Sequence, residues 1–158
     1  MKIRPIAPKD SALLAPILRS VLIEMGVPKK GTAYADPELD QMYETYQKPR
    51  AQFFVLEDNR QLLGGAGIAP LPLAQTTICE LQKMYFLPQA RGKGWGRQMI
   101  TRCFQFAKDN LFEQCYIETM PNMKAAQKLY LQTGFDYLTA PLGNTGHFSC
   151  SVWMLKEL

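Results

Sequence analysis

Hydrophobic positions recur along this chain with two different periods, one typical of helices and one typical of strands. Apolar side chains at every third or fourth position predict four helices, over residues 10–25, 36–48, 95–108 and 123–133. Gly26 is placed to end the first helix, and Asn122 to cap the fourth. The Asp36-Pro37-Glu38 run predicts the start of the second, because Asp, Pro and a further acid favour a helix N-terminus.

Alternating or continuous apolar runs bounded by Gly, Pro, Asn and Asp predict the strands. They cover residues 2–7, 52–57, 61–69, 76–87, 114–119, 135–139 and 148–155. The second and third flank Asp58-Asn59 and predict a hairpin, while Gly64, Gly65 and Gly67 suggest a bulge or a close backbone approach. This order predicts an α/β fold in which a mixed sheet of about seven strands is flanked by about four helices. We expect residues 1–158 to form a single domain.

Composition narrows the class of protein. The chain is 47% hydrophobic and 20% charged, as is ordinary for a globular protein, and no apolar run reaches the length of a membrane helix. The N-terminus lacks the apolar core of a signal peptide, so we expect a cytoplasmic location and no membrane contact. Four scattered cysteines without a CxxC pair predict buried free thiols rather than disulfides or a zinc site, and no metal is expected.

The net charge of +4 is unevenly distributed. Six basic residues and no acid lie between Leu81 and Lys108, around the glycine-rich stretch from Gln89 to Arg97. Such a band suits a small anion of several charges, whereas a nucleic-acid-binding protein more often spreads its basic residues over a broad face. We therefore expect no nucleic-acid partner.

The glycine-rich stretch has the features of a pyrophosphate-binding loop. Gly92, Gly94 and Gly96 alternate with larger residues between a predicted strand and a predicted helix, where free N–H groups and the helix dipole favour an anion. The alternative is a glycine-rich turn that binds nothing. The stretch is not a Walker loop, because Gly92-Lys93-Gly94 is not followed by Ser or Thr. It is not the dinucleotide pattern GxGxxG either, because the third glycine comes one residue early.

Two segments carry a resemblance to a known family. Gln89-Ala90-Arg91-Gly92-Lys93-Gly94 resembles the Q/R-x-x-G-x-G/A signature of the GNAT superfamily of acyl-CoA N-acyltransferases. Ala126-x-x-Leu129-Tyr130-x-x-x-Gly134-Phe135 is similar to that family's A-x-x-L-Y-x-x-x-G-F segment. Met123 departs from the pattern, since the family often has Asn there. The likeness spans nearly the whole chain and implies the GNAT fold and an N-acetyltransferase with acetyl-CoA as co-substrate.

The resemblance also implies where coenzyme A binds. Its pyrophosphate would lie on the loop, and its pantetheine arm would pair with the main chain of the preceding strand. The residues implied to contact the coenzyme are Met84, Tyr85, Phe86, Gln89, Arg91, Gly92, Lys93, Gly94, Trp95, Gly96, Arg97, Ala126 and Tyr130.

Acetyl transfer to an amine needs a base for the ammonium and an acid for the leaving thiolate. By resemblance, Glu80 is the base and Tyr130 the acid. Strand alternation places Glu80 on one face with Gln82, Met84 and Phe86, where apolar neighbours would raise its pKa. A paired surface carboxylate and a packing aromatic are the structural alternatives, and Glu118 competes as base. A covalent route through Cys79 is disfavoured, because alternation points Cys79 away from Glu80.

We expect the acceptor to be a primary amine of a small molecule, acetylated directly in a ternary complex. The residues proposed to line its pocket are Tyr43, Tyr46, Glu118, Thr119 and His147. The acids from Asp36 to Glu44 would either favour a cationic acceptor or form a solvated helix face. A non-catalytic acyl-CoA-binding module and a protein N-terminal or lysine acetyltransferase are the alternatives. Because many relatives are dimers, the resemblance allows a homodimer.

Overall fold

The structure is a computed structural model that describes residues 1–158. Seven strands form one sheet: β1 (Lys2–Pro5), β2 (Gln52–Asp58), β3 (Gln61–Pro70), β4 (Ile78–Phe86), β5 (Gln114–Thr119), β6 (Asp136–Tyr137) and β7 (Val152–Glu157). Four α-helices accompany them: α1 (Ser11–Glu24), α2 (Met42–Thr45), α3 (Trp95–Asp109) and α4 (Lys124–Gln132). The predicted α/β class and the mixed sheet are confirmed. No helix combines the length and the apolar character needed to cross a bilayer.

The sheet has the order β1-β2-β3-β4-β5-β7-β6, and only β4 and β5 run parallel. Their pairing is short: Ile78, Cys79 and Glu80 are in register with residues 114–116, and no residue beyond Glu80 is paired with β5. The two strands therefore separate in the middle of the sheet. One edge of β4 is left free of a partner strand along the second half of its length.

A bulge interrupts β4 just beyond this point. Gln82 pairs with Gly67 and Tyr85 with Gly65, so two residues of β4 stand opposite Ala66 alone. Lys83, at φ 51°, has the left-handed backbone conformation that side chains disfavour. The bulge confirms the irregularity predicted from the glycines of β3.

The bulge corrects the expectation from simple alternation. Glu80, Gln82 and Tyr85 share the face that packs towards α1, whereas Met84 and Phe86 pack against the core beneath α3. The prediction that Met84 and Phe86 lie on the face of Glu80 was wrong, because an extra residue shifts the parity of everything that follows it.

The sheet separates two main apolar cores. One lies beneath α3 and α4 and contains Cys79, Cys103 and Cys115, all free and fully buried, as predicted. The other lies beneath α1 and the segment that precedes β2. The fourth thiol, Cys150, is free but only partly buried.

One helix, one strand and two helix caps differ from the prediction. The second helix is reduced to a 3-10 stretch (Pro37–Gln41) and the single turn of α2. Its predicted cap, Asp36, makes no capping hydrogen bond, because its carboxylate binds Lys83 and His147 instead. The strand predicted over 148–155 begins only at Val152. Asn122 does not cap α4, because its amide donates to the carbonyl of Met25 at 3.0 Å.

Candidate active site

The glycine loop presents a set of free backbone donors. Gly92 and Gly94 have φ of 70° and 81°, which only glycine adopts without strain, and a Cβ on either would meet no atom within 4 Å. No N–H from Gly92 to Arg97 donates a hydrogen bond within the chain, and the first helical bond runs from Gln98 N–H to the Gly94 carbonyl at 3.2 Å. Six donors at the N-terminus of a 15-residue helix make an anion-binding surface.

The basic side chains of the loop have different roles. The Arg91 guanidinium donates to both carboxylate oxygens of Glu24 at 2.7 and 2.8 Å, and its Nε donates to the Phe86 carbonyl at 2.7 Å. Arg91 therefore ties the loop to α1. Lys93 donates to the Gln89 carbonyl at 2.9 Å. The Arg97 side chain makes no ion pair or hydrogen bond within the chain, so its charge is available to a ligand.

A narrow cleft of about 50 Å³ lies where β4 and β5 separate. Most of its lining is apolar, and it brings together six of the residues singled out from the sequence: Met84, Tyr85, Glu118, Thr119, Ala126 and Tyr130. Leu81, Ile117, Met120 and Met123 complete most of its apolar wall. We call it the apolar cleft.

Tyr130 carries the one hydroxyl on a fully buried residue of this cleft that bonds to nothing in the chain, although the Tyr85 hydroxyl and the Cys150 thiol, both on partly buried residues, also lack a partner. Its ring packs edge-on against Phe135 at 5.7 Å, and only 4% of the residue is exposed. Its hydroxyl has no hydrogen-bond partner, yet no buried side-chain oxygen in the chain is both sealed and unpartnered. The hydroxyl therefore opens into the cleft. Burial raises the pKa of Tyr130, so the group is protonated at neutral pH.

Glu118, the competing base, is already engaged. Its Oε1 accepts a hydrogen bond from the Tyr116 hydroxyl at 2.7 Å, and its Oε2 accepts one from the Thr145 hydroxyl at 2.6 Å. Glu118 is thus held by one donor on each oxygen, whereas Glu80 keeps one oxygen free of any donor.

A second and larger cavity, of about 350 Å³, opens on the other side of β4. Four separate stretches of chain form most of it, residues 36–38, 70–72, 80–83 and 145–147, and Lys48 completes it. Apart from prolines, every lining residue is polar or charged. We call it the polar cavity.

Glu80 lies in the polar cavity with one carboxylate oxygen free. Its Oε2 accepts a hydrogen bond from the side-chain amide nitrogen of Gln82 at 2.6 Å. The oxygen of the same side-chain amide accepts a hydrogen bond from the Tyr46 hydroxyl at 2.8 Å. Glu80 Oε1 has no partner and, since no sealed side-chain oxygen is unpartnered, opens into the cavity. Burial raises the pKa of Glu80, and the bond from Gln82 only partly opposes this. The raised pKa matches the prediction, but the polar surroundings correct the expectation of apolar ones.

The two tyrosines predicted to line the acceptor pocket, Tyr43 and Tyr46, do not line the polar cavity. Tyr46 is 2% exposed and packs against Phe53, with ring centroids 5.3 Å apart, and against the backbone of Gly67. Tyr43 packs on the same apolar core. Tyr46 contacts the site only through Gln82, which it holds in place for Glu80.

A buried charge cluster in the polar cavity was missed by the sequence-based predictions. Lys83 Nζ lies 3.0 Å from Asp36 Oδ2 and 3.3 Å from Glu38 Oε2, and His147 Nε2 lies 3.1 Å from the same Asp36 oxygen. The Lys83 side chain is 3% exposed and lines both cavities. A lysine within the apolar run of β4 is the signal that could have revealed it.

The cluster shifts both members of the His147–Asp36 pair towards their charged forms. Burial lowers the pKa of His147, but the hydrogen bond to Asp36 and its charge outweigh burial and raise it overall. Burial raises the pKa of Asp36, but the His147 hydrogen bond and the Lys83 charge outweigh that and lower it. The pair therefore holds a salt bridge over a wider pH range than isolated groups would.

Comparisons with known proteins agree on one family. Residues 21–135 match the model of the acetyltransferase (GNAT) family. The chain is 41% identical over 156 residues to the uncharacterized N-acetyltransferase YjgM of Escherichia coli K12. The aligned region covers 98% of this chain and 93% of that protein. The fold of this chain is similar to that of a GNAT acetyltransferase from Staphylococcus aureus Mu50, at a TM-score of 0.88, 17% identity and coverage of 99% and 98%. A phosphinothricin acetyltransferase from Sinorhizobium meliloti, solved with acetyl-CoA, matches at 0.78, 18% identity and coverage of 99% and 88%.

Proposed function

The chain belongs to the GNAT family of acetyltransferases, and on that premise we propose that it moves acetyl from acetyl-CoA directly to the primary amine of a small molecule. One observation carries this proposal. A buried carboxylate and a buried phenol, each with a free oxygen, face two cavities that share the Lys83 side chain as a wall. Acetyl transfer to an amine needs such a base and such an acid on opposite sides of one carbonyl.

The donor site fits an acyl-CoA. The six free N–H groups from Gly92 to Arg97, with the Arg97 charge beside them, suit a pyrophosphate, and nothing in the chain obstructs the approach to Gly92 or Gly94. The partner-free edge of β4 suits the amides of a pantetheine arm. When bound, acetyl-CoA supplies the activated thioester.

The proposed steps assign one task to each side chain. Glu80 Oε1 takes a proton from the acceptor ammonium, so that the amine nitrogen gains a free electron pair. That nitrogen bonds to the acetyl carbon, and main-chain N–H groups on the free edge of β4 stabilise the oxygen that becomes negative. The carbon–sulfur bond breaks, and Tyr130 gives its proton to the departing thiolate. The nitrogen, positively charged after attack, loses its second proton to restore the Tyr130 hydroxyl, and Glu80 releases its proton to solvent, so that the amide, coenzyme A and one proton leave the enzyme. No covalent enzyme intermediate is needed, and Cys79 is buried on the opposite face.

The loop between β6 and β7 favours a small acceptor over a protein. Ser149 is hydrogen-bonded through its N–H to the Gly31 carbonyl at 3.0 Å and through its hydroxyl to the Lys30 carbonyl at 3.1 Å. His147 pairs with Asp36 on the same side. The loop is thus tied across the polar cavity to the segment after α1, which leaves little room for an extended peptide.

A steady-state assay tests the proposal. Acetyl-CoA is mixed with panels of small amines and, separately, of peptides with free N-termini or lysines, and free coenzyme A thiol is followed. We expect turnover with at least one small amine, intersecting initial-rate lines that indicate a ternary complex, and loss of turnover in Glu80→Gln. Parallel lines would contradict direct transfer, turnover of peptides alone would contradict the acceptor class, and thiol release no faster than hydrolysis with every panel would contradict catalysis.

We further place the enzyme in the cytoplasm. The three buried thiols Cys79, Cys103 and Cys115 are free, as is usual in a reducing compartment. Detection of the native protein in fractionated cells tests this placement.

A further inference from the structure

The charges around the polar cavity are not all available to a substrate. Asp36 is paired with Lys83 and His147, and Glu38 with Lys83. Outside the cavity, Arg19 donates to both oxygens of Asp40 at 2.6 and 2.8 Å. Three of the four acids that had suggested a cationic acceptor, Asp36, Glu38 and Asp40, are therefore already neutralised by the chain itself, and the fourth, Glu44, does not line the cavity.

One cation of the cavity is left without a partner. Lys48 lines the cavity and is exposed, and its side chain makes no hydrogen bond or ion pair with any residue of the chain. It stands in the lining together with Glu80, the only carboxylate there with no cation bound to it. The site thus offers a substrate one free carboxylate and one free ammonium.

We propose that the acceptor is a small amine that also carries an anionic group, with its amine at Glu80 and its carboxylate, phosphonate or phosphate at Lys48. This inference rests on the proposed function and narrows its substrate class. The polar lining supports it, because an aromatic or aliphatic amine would bury apolar surface against charged groups and lose their hydration.

Charge complementarity during the reaction points the same way. Once Glu80 has taken the proton, the lining holds Asp36 and Glu38 as anions and Lys48, Lys83 and a protonated His147 as cations, one cation in excess. An amine that bears a carboxylate has a charge of −1 in its reactive, deprotonated form. It therefore balances the cavity at the moment of attack, whereas a diamine would add its second positive charge next to Lys48.

The test compares matched acceptors. Amino acids are assayed beside their methyl esters and their decarboxylated amines, and aminoalkylphosphonates form a second anionic arm, all with acetyl-CoA in excess. We expect kcat/KM for the best anionic acceptor to exceed that of its uncharged counterpart at least about tenfold, the factor that one charge-assisted hydrogen bond supplies. Preference for carboxylate or for phosphonate then identifies the anion.

Variants of Lys48 give an independent readout. Lys48→Gln should raise KM for the anionic acceptor about tenfold, with KM for acetyl-CoA and kcat unchanged, and Lys48→Arg should restore it. Lys108→Gln is the matched control, since Lys108 is also exposed but lies in the last turn of α3, away from both cavities. It should change neither KM.

Each outcome bears on one proposal. If uncharged amines are acetylated as well as anionic ones, or if Lys48→Gln leaves the acceptor KM unaltered, the inference is overturned and the proposed acetyl transfer stands. If the native enzyme acetylates no amine of any class, the proposed function fails, and the inference that rests on it fails too.

Discussion

The apolar cleft and the polar cavity share β4 yet differ in almost every physical property. The cleft is narrow and lined mainly by apolar side chains, whereas the cavity is several times larger and lined by charged and polar ones. Each contains one deeply buried titratable group with a free oxygen, Tyr130 in the cleft and Glu80 in the cavity. On the proposed function, this difference would keep an acid protonated and a base available at the same pH. The mostly apolar lining of the cleft favours the neutral phenol, and the polar lining of the cavity suits an ammonium.

The strongest test of this division is Glu80→Gln. We expect kcat to fall about 10³-fold, within the range for loss of a general base, because the ammonium then has no side chain to take its proton. The remaining rate should rise with pH as free amine becomes more abundant in solution, so the optimum moves to alkaline pH. A pH–rate profile of kcat/KM measures both effects.

Glu118→Gln is the control for that variant, since it removes the competing carboxylate from the apolar cleft. It should lower kcat much less than Glu80→Gln, because both Glu118 oxygens are already hydrogen-bonded. If Glu118→Gln has the larger effect, the base belongs to the cleft and the proposed division is wrong.

Tyr130→Phe should have the next largest effect. We expect kcat to fall about 10²-fold, as on removal of a general acid, with little change in the affinity for coenzyme A. Thermal stability should stay unchanged, because the hydroxyl bonds to nothing in the chain and the ring contact with Phe135 is kept. Kinetics and calorimetry together measure this separation.

Tyr116→Phe provides the opposite pattern. The Tyr116 hydroxyl donates to Glu118 and accepts from the Leu142 N–H at 3.3 Å, so its loss should cost about 1–2 kcal/mol of stability and leave kcat within a few-fold. An unstable Tyr130→Phe or a catalytically dead Tyr116→Phe would show that packing, rather than proton transfer, explains these tyrosines.

Asp36→Asn addresses the charge cluster of the polar cavity and should cost about 2 kcal/mol, since it leaves a buried lysine with one partner fewer. Asp36 has a lowered pKa, so its contribution is present above its unfolded value of about 4 and is lost in acid. His147 has a raised pKa, so its contribution is full below about 6.5 and is lost as pH rises through the folded value.

The stability difference between the native chain and Asp36→Asn should therefore be largest between about pH 4 and 6.5 and should shrink above that range. Urea unfolding at a series of pH values measures it. Tyr137→Phe, which loses only a hydrogen bond to the amide oxygen of Gln127, should give a constant difference. A constant difference for Asp36→Asn as well would show that the His147–Asp36 pair adds no stability.

Gly94→Ala should have the smallest effect and should be confined to the donor side. An alanine at φ 81° costs about 1 kcal/mol of strain, and its methyl group would project from the face proposed for the pyrophosphate. We expect KM for acetyl-CoA to rise about fivefold while KM for the acceptor is unchanged. Gly26→Ala, at φ 66° and with equal free space, should cost similar stability and leave both KM values alone.

Sequence patterns predicted the glycine loop and its place between β4 and α3 because the parts of the loop are local. A glycine loop between a strand and a helix is contiguous in sequence, and the positive φ of Gly92 and Gly94 is a property of the residues themselves. Tyr130 was found because its motif fixes its place on one helix. The mixed sheet and the buried free thiols followed from periodicity and composition in the same way.

The polar cavity could not be predicted in this way, because it is assembled from segments that are distant in sequence. Asp36 and His147 are 111 positions apart and meet only when the loop before β7 folds back over the segment after α1. The same contact holds Asp36 away from the capping role that the sequence predicted. One long-range interaction therefore explains both the missed charge cluster and the wrong prediction of a cap. Alternation failed beyond Gln82 because a bulge adds a residue that no periodic pattern reveals.

Deletion of Lys83 would remove this bulge from β4. If Lys83 were deleted, Gln82 would still pair with Gly67, Met84 would stand opposite Ala66, and Tyr85 would still pair with Gly65. Every other side chain of β4 would keep its present face, and the strand would be regular. The sheet has no need of this residue, which has a strained backbone and a buried charge. Lys83 is thus the residue that the bulge accommodates, and a chain without it would gain a straighter strand and lose the side chain that lines both cavities.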